Sequence, residues 1–132
     1  MFRAKDVMSS TPTTVKPDAK VIDVIRLLAE YRITGLPVVS EDMRLLGMVT
    51  EKDILKLLLY DKDFKTKTAA DLMTAQITYF TEDDDLMAVF KTLEQSNFRR
   101  VPILSDGKLA GIISRRDIIN FLFQRAGGSV DK

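Results

Sequence analysis

Apolar and polar positions along this chain follow two rhythms, and the same succession of rhythms occurs twice. Thr13-Thr14-Val15 reads as a short extended segment stopped by Pro17. Val21, Val24, Ile25 and Leu28 then fall at i, i+3, i+4 and i+7, the spacing of an amphipathic helix, which the pattern carries to Tyr31. Leu36 to Val39 is an apolar run of strand type, Glu41 to Arg44 a polar turn, and Leu45 to Val49 a second strand. Thr50 is a good helix N-cap, and Ile54, Leu55, Leu58 and Leu59 form the stripe of the helix that follows. The second pass begins with extended Thr78-Tyr79-Phe80. Thr81 to Asp85 then open a helix striped by Leu86, Val89, Phe90 and Leu93. Val101 to Leu104 and Leu109 to Ile113 flank Asp106-Gly107, a strong tight-hairpin signal. Ser114 caps a last helix carrying Ile118, Ile119 and Leu122. The predicted unit is strand–helix–strand–strand–helix, twice, joined through the Asp- and Lys-rich stretch from Tyr60 to Lys67.

The residues repeat as well as the rhythm. Asp6-Val7-Met8 returns as Asp71-Leu72-Met73, and Leu36-Pro37-Val38-Val39 as Val101-Pro102-Ile103-Leu104. Gly47-Met48-Val49-Thr50-Glu51-Lys52-Asp53-Ile54 returns as Gly111-Ile112-Ile113-Ser114-Arg115-Arg116-Asp117-Ile118. A unit this short does not readily bury its own apolar face, whereas two copies packed together do. The expected organisation is a first repeat over 1–60, a linker over 61–67, a second repeat over 68–125 and a frayed tail over 126–132. Two like halves also make two like clefts between them, where function is expected.

Composition narrows the chemistry. The 132 residues are 45% hydrophobic and 30% charged, as in an ordinary globular domain, and the net charge of +1 supplies no field for nucleic acid or an anionic membrane. No apolar run approaches the roughly 18 residues of a membrane span, and the first residues lack the apolar core of a secretory signal, so a cytoplasmic protein is expected. Cysteine and histidine are both absent. That removes disulfides, thiolate nucleophiles and the commonest metal ligand and general base. With no Gly-rich phosphate loop either, the chain reads as a non-enzyme. Glu82 to Asp85 superficially resembles a metal cluster, but four successive acids do not all face one ion, and they read better as complements to a helix dipole. No metal site is expected.

Thr50-x-x-Asp53 and Ser114-x-x-Asp117 each stand where a strand gives way to a helix. Capping alone accounts for both residues: the hydroxyl reaches the backbone N–H three residues on, and the dipole favours a carboxylate in the first turn. The same place also suits a ligand. A helix start has unpaired N–H groups, and a carboxylate there can hold a sugar diol through two hydrogen bonds. Arg99, Arg100, Arg115 and Arg116 gather near the second such start, where guanidinium groups suit phosphate oxygens; a solvated helix face is the equal alternative. The first copy has Gly35 and Glu51 in the corresponding places.

From Ala4 to Gln124 the chain resembles a tandem pair of cystathionine-β-synthase (CBS) domains, a Bateman module. The resemblance rests on the Asp-h-Met opening, the h-Pro-h-h strand and the Gly-h-h-[Ser/Thr]-x-x-Asp-h segment, in order and twice. It implies an α+β fold of two βαββα repeats related by a pseudo-twofold axis, forming one compact module. It further implies a regulatory sensor of an adenosine-containing ligand, AMP, ADP or ATP first among them, with no cofactor required. By the same resemblance Asp53 with Thr50, and Asp117 with Ser114, would bind ribose. The adenine slots would be Thr13, Thr14, Val15, Leu36 and Pro37 in one half and Ile77, Thr78, Tyr79, Val101 and Pro102 in the other; Val15, Leu36, Ile77 and Val101, each taken alone, read better as core, and both hold together because the cleft wall is the edge of the core. Arg99, Arg100, Arg115 and Arg116 would meet phosphates, so the Asp117 cleft is expected to prefer a phosphorylated adenosine. The Asp53 cleft would stand empty, take a less charged ligand or borrow cations from the other half.

Partners implied are the adenosyl ligand, a second copy in a homodimer and a regulated protein acting in trans, with neither nucleic acid nor membrane. Leu57, Leu58, Leu59, Phe121, Leu122 and Phe123 are the expected dimer face. The competing reading is a ligand-free scaffold with degenerate clefts that dimerises and holds a partner.

Overall fold

The fold, a computed structural model, describes residues 1–61 and 63–128. The chain forms two compact units, each with its own apolar core. The first unit spans Pro12–Ile77 together with Gly107–Leu109. Its helix α1 (Val21–Tyr31) ends at Arg32, which turns into the left-handed region (φ 53) and donates its N–H to the Leu28 carbonyl. Strands β1 (Gly35–Val39) and β2 (Leu45–Thr50) pair antiparallel, Gly35 opposite Thr50 and Pro37 opposite Met48, with an irregularity between Val38 and Val39. The extended segment expected at Thr13 to Val15 is shorter than a strand. It makes one parallel bridge, Val15 to Val38, in which Val15 N–H reaches the Pro37 carbonyl at 3.1 Å. All five β1 residues are buried, and Leu36, Val38 and Val49 meet Val21 and Val24 of α1 in the core. Helix α2 (Glu51–Tyr60) starts at the Thr50 cap.

The joint after α2 is more than solvated chain. A short 3-10 turn at Phe64–Thr66 sets Phe64 against the core, and the four-residue helix α3 (Ala69–Leu72) follows. Lys62, part of the expected linker, lies outside the described residues.

The second unit comprises Met1–Thr11, Thr78–Asp106 and the chain from Ala110 on. Strand β3 (Phe80–Thr81) runs parallel to β4 (Arg100–Ser105), with Phe80 opposite Ile103, and β5 (Lys108–Ser114) lies on the other side of β4. Asp106 (φ 52) and Gly107 (φ 80) both take the left-handed conformation, as a two-residue hairpin turn of the primed type requires. Helices α4 (Leu86–Gln95) and α5 (Arg115–Arg125) flank the sheet in sequence. Leu86, Val89 and Leu93 meet Val101, Ile103 and Ile113 in this core. Ala126 to Gly128 close α5 with backbone bonds; Ser129 to Lys132, the rest of the expected tail, lie outside the described residues.

The expectation that Thr81 to Asp85 open α4 needs correction. The helix starts at Leu86, with Asp85 as its N-cap accepting the Met87 N–H at 3.0 Å. Asp84 instead closes a separate turn by accepting the Thr81 N–H at 2.7 Å, and Asp83 pairs with Lys5 at 3.2 Å. Asp83, Asp84 and Asp85 therefore each have a separate partner, and the dipole explanation holds for Asp85 alone.

The two opening motifs have exchanged places. Asp6-Val7-Met8 follows a 3-10 turn (Ala4–Asp6) and packs into the second unit: Ala4 is wholly buried, and Val7 and Met8 lie against that core. Leu72 and Met73 pack into the first unit. Ser9 exchanges both backbone bonds with Ile112 of β5 (2.9 and 3.0 Å), and Thr74 does the same with Met48 of β2 (2.9 and 3.0 Å). Each repeat's opening segment thus completes the unit that holds the other repeat's hairpin.

Candidate functional site

The same geometry is built once in each unit. In the first, the antiparallel register sets Gly35, the first residue of β1, beside Thr50, the last of β2. Glu51 N–H then donates to the Thr34 carbonyl at 2.9 Å, tying the first residue of α2 to the segment entering β1. Thr13 and Thr14 approach the same sheet end, because Val15 runs parallel to β1. In the second unit Arg115 N–H donates to the Arg99 carbonyl at 3.1 Å, and Thr78 and Tyr79 lead into β3 parallel to β4. The sheet end, the helix start and the incoming segment are thereby brought together in each unit.

At each helix start the carboxylate is half committed. Asp53 Oδ2 accepts the Thr50 N–H at 2.8 Å and the Thr50 hydroxyl at 3.0 Å, while Asp53 N–H donates to Thr50 Oγ1 at 3.4 Å. Asp117 Oδ2 accepts the Ser114 N–H at 2.7 Å and its hydroxyl at 3.0 Å, with the reciprocal bond at 3.2 Å. This is the capping box the spacing predicts, with Asp in the acidic position. Oδ1 of each receives no hydrogen bond from the described residues, and neither aspartate is in an ion pair with them. Both residues are half-buried, and each has one pinned oxygen and one that receives no bond from the described residues.

Capping geometry alone does not single these two out. Asp71 accepts the Thr68 N–H and hydroxyl at 2.9 and 3.1 Å, and Asp6 accepts the Arg3 N–H at 2.7 Å. The backbone N–H of Thr68, seconded by its hydroxyl and the Lys67 charge, holds the Asp71 carboxyl below the usual carboxylate range. What distinguishes Asp53 and Asp117 is their place at the end of a hairpin beside the h-Pro-h-h strand.

The expected adenine slot divides by burial. Leu36, Pro37, Val101 and Pro102 are fully buried core residues, and Val15 is nearly so. Thr13 and Thr14 are half-buried, and Thr78 and Tyr79 are exposed. Ile77 is half-buried and belongs to the first unit, whereas Thr78 begins the second segment of the other. The strand residues among them are therefore core, and the accessible atoms belong to the incoming segments.

The four arginines do not act alike. Arg115 Nη2 donates to the Leu93 and Ser96 carbonyls at 3.2 and 3.0 Å, capping the C-terminal end of α4 where a cation suits the dipole. Arg99 and Arg116 are exposed, and their side chains bond to none of the described residues. Arg100 is half-buried at the first position of β4. The arginine cluster was legible in the sequence; the carbonyls that occupy Arg115 were not, since nothing local marks them.

Of the apolar residues expected at a dimer face, Leu58, Leu59, Leu122 and Phe123 are exposed. Leu57 and Phe121 are not part of an open face. Leu57 packs on the first core, and Phe121 packs on the second and holds the Phe2 ring edge-on at 5.0 Å. Leu55 and Tyr60 of α2 and Ile119 of α5 are exposed instead. Among the described residues no helix is long and apolar enough to cross a membrane.

Comparison with known proteins agrees with this architecture. Residues 4–60 and 69–124 each match the CBS domain family model. Hypoxic response protein 1 of Mycobacterium tuberculosis is 32% identical over 127 residues, covering 96% of this chain and 89% of that protein. The chain spans 42%, 23% and 58% of the length of three further curated relatives. The crystal structure of CBSX2, a protein of Arabidopsis thaliana, in complex with AMP is similar at a TM-score of 0.85 and 30% identity, covering 96% of this chain and 99% of that one. The CBS domain pair of protein MJ0100 with 5′-methylthioadenosine and S-adenosyl-L-methionine is similar at 0.81 and 26% identity, covering 94% and 98%.

Proposed function

The chain belongs to the CBS domain family as a tandem pair, and from that premise we propose that it is a regulatory module that binds an adenosine-containing ligand. The observation that carries this reading is the pair of half-committed aspartates. Asp53 and Asp117 each use Oδ2 to close a capping box and leave Oδ1 beside the start of a strand and the start of a helix. A ribose hydroxyl donates to that oxygen. Thr50 and Ser114 keep the carboxylate in its rotamer, and the N–H of the second residue of each helix, Lys52 or Arg116, takes an acceptor atom of the ligand, the N–H groups on either side being bonded already. The base lies against Thr13 and Thr14 in one site and Thr78 and Tyr79 in the other, over the buried proline strands. The relatives' complexes with AMP and with methylthioadenosine and adenosylmethionine support the adenosyl class. AMP, ADP and ATP are the first candidates.

In this reading the chain performs no chemistry on its ligand. Binding signals by shifting the population of module or dimer arrangements, which requires that the ligand bind one arrangement more tightly than another. The regulated partner is a second protein acted on in trans.

A second reading, a dimerising scaffold without ligand, is favoured by the exposed Leu55, Leu58 and Leu59 on α2 and Ile119, Leu122 and Phe123 on α5. Dimerisation is compatible with both readings, so ligand-dependent stability separates them. A thermal-shift screen of AMP, ATP, 5′-methylthioadenosine and S-adenosylmethionine is the test. A ligand at 100 times its Kd adds about 2.7 kcal/mol and raises the melting temperature by several degrees. A flat response to all four favours the scaffold.

A further inference from the structure

We propose that two copies of this chain exchange their opening segments, so that the residues up to Thr11 of one copy fill the place those residues occupy in the second unit of the other. The segment is a distinct insert in that unit. Ala4 is wholly buried and its N–H reaches the Asp84 carbonyl at 2.9 Å. The Lys5 N–H reaches the Glu82 carbonyl at 3.0 Å, and the Leu86 N–H the Phe2 carbonyl at 3.0 Å. Arg3 Nη1 donates to the Asp83 carbonyl at 2.7 Å, and the Arg125 guanidinium lies 4.6 Å from the centre of the Phe2 ring, which also meets Phe121. Val7 and Met8 pack on the second core, and Ser9 pairs with Ile112. All of these contacts lie within the second unit.

The stretch that follows is a hinge. Ser10 to Thr14 give and receive no backbone hydrogen bond among the described residues, and Ser10 and Thr11 are exposed. The division between the units falls between Thr11 and Pro12. The chain bends at Ser10 and Thr11, whereas a residue followed by proline is biased to extended backbone, so Pro12 favours straightening the bend. Straightening it sacrifices no contact once a second copy supplies the same segment, because every bond is remade between chains. The balance between closed monomer and exchanged dimer is then set by the hinge and by concentration. The first unit holds a matching insert. Ala69-Ala70-Asp71-Leu72-Met73-Thr74 keeps the alanine, aspartate, apolar residue and methionine of Ala4-Lys5-Asp6-Val7-Met8-Ser9, with Ala69 buried and Thr74 paired to Met48. That insert is continuous in sequence with its own unit, so the segment up to Thr11 is the one carried on a hinge.

The full chain carrying both Ser9→Cys and Ile112→Cys tests the exchange, since the sequence has no other cysteine. These residues exchange both backbone bonds, a pairing whose Cα separation of about 5.5 Å lies within the reach of a disulfide. Dimer and monomer fractions from size exclusion are oxidised and run on a denaturing, non-reducing gel. The dimer fraction is expected to give a covalent species of twice the chain mass, and the monomer fraction a single chain closed on itself. A dimer formed through the exposed faces of α2 and α5 would instead oxidise to single chains. The second measurement uses no cysteine. Deleting Ser10 and Thr11 shortens the hinge without touching a packed side chain, and is expected to lower the dimer Kd about tenfold by sedimentation. It keeps the test open if melting temperatures show that the double variant fails to fold. A dimer fraction that oxidises only to single chains, a dimer Kd indifferent to the deletion, or no dimer at millimolar chain overturns the exchange, and each leaves the sensor reading standing.

Discussion

The Sδ atom of Met8 lies where a side chain on Gly111 would have to go: a β-carbon at Gly111 would stand 2.7 Å from it and 2.6 Å from the Ser9 carbonyl oxygen. Gly47 stands in the same relation to Met73, at 2.7 Å from Sδ and 2.9 Å from the Thr74 carbonyl oxygen. Two motifs that the sequence presents far apart are therefore one contact made twice. The methionine of the Asp-h-Met opening packs on the glycine that begins the Gly-h-h-[Ser/Thr]-x-x-Asp segment. The strand that ends at the capping aspartate is held down by the exchanged opening segment at its other end.

Gly111→Ala is expected to destabilise the chain by about 1–3 kcal/mol, the cost of overpacking against atoms that cannot yield. Truncating Met8 to Ala in the same chain should not restore stability, because the Ser9 backbone oxygen remains in the way. Urea denaturation of the single and double variants reads both effects.

Removing residues 1–9 deletes the buried Ala4, the packed Val7 and Met8 and the bridge from Ser9 to Ile112. The Ile112 amide, bonded to the Ser9 carbonyl, should then exchange its hydrogen faster. The Met48 amide, bonded to the Thr74 carbonyl, should keep its protection. Amide exchange followed by NMR or mass spectrometry checks the contrast.

Arg115→Ala should cost about 1 kcal/mol, because two carbonyls at the end of α4 lose their donor. Arg116→Ala, next in sequence but exposed and without such bonds, should leave unfolding within about 0.5 kcal/mol of the parent. Chemical denaturation of the two variants separates a capping arginine from a solvated one.

Asp71 supplies the pH prediction. Its folded pKa is depressed by the Thr68 N–H and hydroxyl. The stabilisation from those bonds is therefore present above the unfolded value and is lost as pH falls through the folded one. Side-chain carboxyl titration by NMR should place Asp71 below an ordinary aspartate, and Thr68→Val, which removes the hydroxyl but keeps the N–H, should recover part of the difference.

Much of this architecture was legible because its signals are local. The stripe of α1, the Asp106-Gly107 turn and the Thr50 and Ser114 caps each sit within a few residues of their partners, and the structure places them as the pattern predicts. What escaped was either too short or too distant. Helix α3 has four residues, fewer than a periodic pattern needs to declare itself. Phe64 looked like part of a polar joint because its contacts belong to the core of the first unit. The occupation of Arg115 depends on carbonyls on a preceding helix, and the exchange of opening segments on pairings across most of the chain. The recurrence of Met8 with Gly111 and Met73 with Gly47 carried that second signal, but only their side-by-side packing gives it meaning.

The central claim is that the free oxygens of Asp53 and Asp117 receive a ribose. Backbone amide NMR of the full chain titrated with AMP and with 5′-methylthioadenosine tests it most directly. The account predicts saturable shifts confined to the two sheet ends, at Thr50 to Asp53 with Thr13 and Thr14, and at Ser114 to Asp117 with Thr78, Tyr79 and Arg99. Shifts that miss both sets of residues, or none at millimolar ligand, would contradict it.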